Sequence, residues 1–104
     1  IAIELHRAVM LWNDFGLGEY ELWYLRNKQK EEVDFLVTKN ANPHFMVEAK
    51  LSETSVSPHL VKFQNILHIP AIQLTNKKNV GRKIRNGHDT ILVATAANWL
   101  SCLN

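Results

Sequence analysis

A single cysteine, Cys102, occurs in the chain, so no disulfide can form within it, and a cross-linked fold is excluded. This fits a reducing, cytoplasmic setting. His6, His44, His59, His68 and His88 include no pair at the i, i+4 spacing of a helical zinc site, and there is no Cys-x-x-Cys. No apolar run approaches the ~18 residues of a membrane-crossing helix, and no signal peptide is recognisable, so a membrane partner is not expected. Repeats and low-complexity tracts are also missing.

What remains is the composition of one ordinary globular domain over residues 1–104. Hydrophobic residues make up 46% of the chain and charged residues 21%, which argues against disorder. The net charge of +2 permits nucleic-acid binding without requiring it. The chain starts at Ile1 already in a helical pattern, which predicts a C-terminal fragment of a longer protein.

The patterning predicts a helix from Ile1 to Phe15, with Ile1, Leu5, Ala8, Leu11 and Trp12 on one arc and Glu4 within it. Gly16 and Gly18 end it. Strands follow at Tyr20–Leu25, Glu32–Thr38 and His44–Leu51, separated by polar turns at Arg26–Lys30 and Lys39–Pro43. Such spacing predicts an antiparallel meander. Ser57 is the expected N-cap and Pro58 the first residue of a helix running to Leu67. A short strand at Pro70–Leu74, a polar and basic stretch from Thr75 to Asp89, a strand at Thr90–Ala94 and a helix at Ala96–Leu103 complete the order α-β-β-β-α-β-β-α. The helical crossover after the third strand implies a mixed sheet, parallel beyond that point.

Two apolar strands carry charge. Asp34 lies between Val33 and Phe35, and Glu48-Ala49-Lys50 closes the third strand. Carboxylates in a buried strand are costly unless paired or bound to a metal. Alternate residues of a strand share a face, so Glu48 and Lys50 point the same way, with Cα atoms ~6.6 Å apart. If the two strands are adjacent and in register, Asp34 joins them, and Glu4 joins if the first helix packs over that face. Mg²⁺ or Mn²⁺ prefers carboxylate oxygens, and a neighbouring lysine can orient a water or stabilise charge developing on a phosphoryl group.

Asp34 followed by Glu48-Ala49-Lys50 across a short turn resembles the PD-(D/E)XK nuclease superfamily. More narrowly, the chain is similar to the nuclease-like C-terminal domain of prokaryotic AAA-type ATPases, a domain of unknown function. Ile3-Glu4-Leu5-His6, Trp23-Tyr24-Leu25-Arg26, Glu32-Val33-Asp34-Phe35-Leu36-Val37 and Val47-Glu48-Ala49-Lys50-Leu51-Ser52 carry the resemblance. Val33 stands where the name-giving proline would be. The resemblance implies an α/β restriction-endonuclease-like fold with helices on both faces of the sheet. It implies a Mg²⁺- or Mn²⁺-dependent nuclease acting on DNA, with Asp34 and Glu48 as metal ligands, Lys50 and Glu4 as catalytic residues and Gln64 as a supporting amide. It also implies an upstream ATPase domain and a homodimer.

The alternative of another class is a non-catalytic module of a larger ATPase that binds nucleic acid or protein, or dimerises. Lys77, Lys78, Arg82, Lys83 and Arg85 read either as phosphate contacts or as a solvated loop. Trp12, Trp23, Tyr24 and Trp99 read as core residues rather than base-stacking platforms.

Overall fold

The computed structural model describes residues 1–26, 32–50, 52 and 54–103, and does not extend to the side chains of 24–26 and 32–34. The expected Arg26–Lys30 turn, the end of the third strand at Leu51 and the core role of Tyr24 fall wholly or partly outside that description. The elements are α1 (Ala2–Asp14), β1 (Tyr20–Arg26), β2 (Glu32–Lys39), β3 (Asn42–Lys50), α2 (Pro58–Leu67), β4 (Ala71–Thr75), β5 (Gly81–Asn86), β6 (Asp89–Thr95) and α3 (Ala96–Ser101). Among the described residues no helix is long and apolar enough to cross a membrane.

The strands form one mixed sheet in the order β1-β2-β3-β4-β6-β5. β1, β2 and β3 are the expected antiparallel meander. Past the α2 crossover, β3 pairs with β4 and β4 with β6 in parallel. Asn40 (φ 51°) and Ala41 (φ 66°) form the two-residue loop between β2 and β3. Positive φ at both positions gives the backbone twist that two-residue hairpins require. Asn40 adopts it readily, whereas Ala41 does so with strain.

The sheet has one strand more than the sequence pattern predicts. β5 occupies part of the expected polar stretch and pairs antiparallel with β6 at the sheet edge. Ile84 is the only apolar side chain among its residues Gly-Arg-Lys-Ile-Arg-Asn, so hydrophobic alternation does not announce it. Its lysine and arginines are the charges that keep an edge strand from pairing with other chains. A signal is nonetheless present. Asn86-Gly87 leads the turn into β6, and Gly87 has φ 64°. An Asn-Gly beside an apolar strand marks a hairpin.

Helices cover both faces. Leu5 of α1 and Ala96 of α3 are buried with Phe35, Val47, Ile72 and Leu74. Leu60 of α2 is buried with Met46, Ala71, Ile91 and Val93 on the other face. Ser57 caps α2, its hydroxyl accepting the Leu60 N–H, with Pro58 following as expected. On α1 the buried residues are Leu5, Ala8 and Val9, and Leu11, expected on the inner arc, is exposed.

Candidate functional site

Residue 34 of β2 lies opposite Glu48 of β3, and residue 32 lies opposite Lys50. Glu48 is in turn the register partner of Gln73 in β4. Residues that face one another across a ladder share a side of the sheet. Met46, two positions before Glu48, belongs to the cluster under α2. The row 34–48–73 therefore runs across the α2 face. Glu48 is completely buried at 0% exposure, and Lys50 is half-buried at the carboxyl end of β3. Carboxylates directly opposite one another across a strand pair repel unless a cation stands between or beside them. The side chain of Asp34 lies outside the described ones. Among those that are described, no three His, Cys, Asp or Glu residues are gathered to hold a metal ion.

Glu4 stands apart from this row. It sits on α1, whose Leu5 packs on the opposite side of the sheet. Glu4 is exposed and pairs with the amino group of Ile1 at 2.8 Å. That hydrogen bond, with one to the backbone and the nearby positive charge, holds its carboxyl below the usual carboxylate range. The expectation that α1 would bring Glu4 to the carboxylates fails because α1 and the row occupy different faces.

Gln64 is also elsewhere, and its role differs from the expected one. It is completely buried near the end of α2. Its Nε2 donates to the carbonyls of Ile69 at 2.9 Å and Thr90 at 2.8 Å. Its Oε1 accepts from Asn86 Nδ2 at 3.1 Å. The amide thus ties the end of α2 to the approach to β4, the start of β6 and the β5–β6 turn. Ser57, beside the carboxylate row, is seven residues away, or ~10 Å along a helix.

The amide that does belong to the row is Gln73, which is absent from the expected set. It is completely buried next to Glu48. Its Oε1 accepts the Ser57 N–H at 2.8 Å, and its Nε2 donates to the Ser55 carbonyl at 2.8 Å. Arg82 donates to the Thr54 carbonyl from the far side. Together they hold the 54–57 loop and the start of α2 over the row. The sequence signal was a lone amide inside the apolar run Ala71-Ile72-Gln73-Leu74, since an unpaired buried amide is costly.

The basic residues do not form one patch. Arg82 faces the α2 side in the row of Val93 and Gln73, about three strand spacings or ~14 Å from Glu48. Lys83 and Arg85 alternate onto the other face. Lys77 and Lys78 are exposed in the turn after β4. Thr75 and Thr95 hold this turn. The Lys77 N–H donates to Thr75 Oγ1, and Thr95 Oγ1 donates to the Lys77 carbonyl. Lys50, Thr75 and Thr95 end the three parallel strands. Glu48, Lys50, Lys77 and Lys78 therefore share the carboxyl edge of the sheet, where open α/β sheets bind their ligands.

A cavity of about 390 Å³ lies at the opposite end, beneath Trp12, Tyr20 and Trp99 and beside Phe45 and Pro70. Its lining is apolar and aromatic, and it takes no part in the carboxylate row. Trp23, expected in the core, is 52% exposed on the edge strand β1. No family model, curated protein or solved structure matches the chain.

Proposed function

We propose that the domain is a Mg²⁺- or Mn²⁺-dependent nuclease acting on DNA, with Asp34 and Glu48 as the metal-holding pair and Lys50 as the catalytic lysine. The observation that carries this reading is the register: residue 34 lies opposite a completely buried Glu48, with Lys50 two residues on along the same face. This donor set fits a hard divalent cation, whose charge would relieve two carboxylates at neighbouring positions. The restriction-endonuclease-like version of the fold belongs to the same reading.

A cation held there would supply Lewis-acid polarisation of the phosphoryl group and acidify water at the site. Glu48, buried and immobilised between β2 and β4, would present one fixed ligand. Lys50, half-buried at the strand end, would orient the attacking water or stabilise charge that develops on the phosphoryl oxygens. Lys77 and Lys78 on the same edge would attract the nucleic-acid backbone. Glu4 and Gln64 have no part in this mechanism.

A second reading is a non-catalytic binding or dimerisation module of a larger AAA-type ATPase. It is favoured by Ile3, Met10, Phe15 and Leu17, exposed apolar residues on and just after α1 that would suit a protein contact.

Calorimetric titration with Mg²⁺ and Mn²⁺ separates the two readings. Wild type should give a saturable binding heat that is lost in Asp34→Asn and in Glu48→Gln. Lys50→Ala should still bind the metal but lose metal-dependent DNA cleavage. A wild-type protein that takes up neither ion leaves the binding-module reading.

A further inference from the structure

Trp23 occupies a specific place relative to the carboxylate row. It is the register partner of Leu36, and Leu36 lies opposite Met46, which belongs to the cluster under α2. Trp23 is thus on the same face of the sheet as Glu48. Two strand spacings and a two-residue rise separate their Cα atoms, ~12 Å in all. Helix α2 lies over β4, and the cluster beneath it comes from β3, β4 and β6. Trp23, out on β1, is left 52% exposed.

The indole is also fixed in orientation. Its Nε1–H donates to Thr38 Oγ1 at 3.2 Å. Thr38 lies two residues beyond the register partner of Trp23, so the hydrogen bond turns the N–H edge of the indole towards β2. The N–H edge is thus anchored on β2, and the residue as a whole is left half open to solvent. With the polar N–H satisfied, the exposed part of the side chain offers aromatic carbon to a ligand.

We infer that Trp23 is a stacking platform for an unpaired nucleobase of a single-stranded substrate whose backbone passes the Asp34–Glu48–Lys50 row. The ligand class rests on the proposed nuclease reading, whereas the platform rests on exposure, orientation and register. Bases inside a duplex have their π faces covered, so an exposed, anchored tryptophan selects splayed-out bases. Sequence preference is weak at such a site, because every base has a π face.

The test uses labelled oligothymidylate and chelator-containing buffer, so that binding is read without cleavage. Wild type should bind in fluorescence anisotropy with quenching of indole emission. Trp23→Ala should bind roughly 10-fold more weakly, within the range that base stacking contributes. Trp23→Phe should keep most of the affinity but lose the quenching, since Trp12 and Trp99 would be the remaining indoles. Circular dichroism establishes that both variants are folded. Unchanged affinity in folded Trp23→Ala overturns the inference, as does a wild type that binds no single strand. If duplex DNA is cleaved with Mg²⁺ and Trp23 makes no difference, only this inference falls. If oligothymidylate binds through Trp23 but no metal-dependent cleavage occurs, the nuclease reading falls and the platform stands.

Discussion

Gln64→Glu is a one-atom change that separates a structural amide from a supporting site residue. The side chain keeps its volume, so packing is unaltered, but both Nε2 donors are lost. An oxygen then faces the carbonyls of Ile69 and Thr90, which now receive hydrogen bonds at 2.9 and 2.8 Å. Asn86 loses nothing essential, since it also donates to Asn65 Oδ1 at 2.9 Å. Gln64 is completely buried, so the new carboxylate would be an uncompensated interior charge costing about 3–5 kcal/mol at neutral pH. A chain of this size has roughly 5–15 kcal/mol of total stability. The urea midpoint should therefore fall by about 2 M.

The pH dependence of this variant has a definite sign. Burial and the two carbonyls favour the protonated form of the introduced carboxyl, raising its folded pKa above its unfolded value. The destabilisation is then full above the folded pKa and shrinks as pH falls towards the unfolded one. Urea unfolding followed by circular dichroism at neutral and mildly acidic pH reads both effects. A variant within about 0.5 kcal/mol of wild type at neutral pH would refute the clamp, since such a change is typical of inconsequential surface sites. Undiminished stability with lost Mg²⁺ binding would restore Gln64 to the metal site.

Two other outcomes are expected. Gln73→Leu should cost about 2–3 kcal/mol and speed hydrogen exchange at the Ser57 amide, because Gln73 accepts from Ser57 and donates to Ser55; unchanged exchange at Ser57 would contradict the clasp. Ala41→Gly should stabilise the protein by up to ~1 kcal/mol in urea unfolding, because alanine at φ 66° bears left-handed strain that exceeds the added entropy of glycine.

The sheet was legible in the sequence wherever apolar alternation was strong. The meander, the α2 crossover and the Ser57-Pro58 start of α2 all follow from local patterns. β5 was not legible by this signal because a charged edge strand buries one apolar side chain and leaves its fit to the pairing with β6. Gln73 was a readable anomaly, a polar residue in an apolar strand. Gln64, by contrast, sits in a helix where an amide is unexceptional, and only the carbonyls that it meets reveal its role.

Strand periodicity by itself determined that Glu48 and Lys50 share a face, because side-chain alternation is a property of the local backbone. It could not decide which helix covers that face. Glu4 lies within an apolar arc of α1, but α1 docks on the side of Phe35 and Val47, and Glu4 ends away from the carboxylate row. Trp23 has the composition of a core residue, yet α2 lies over β4 and leaves the outer strand open. Docking of a helix is set by long-range complementarity between surfaces far apart in the chain, so only the tertiary structure settled these positions.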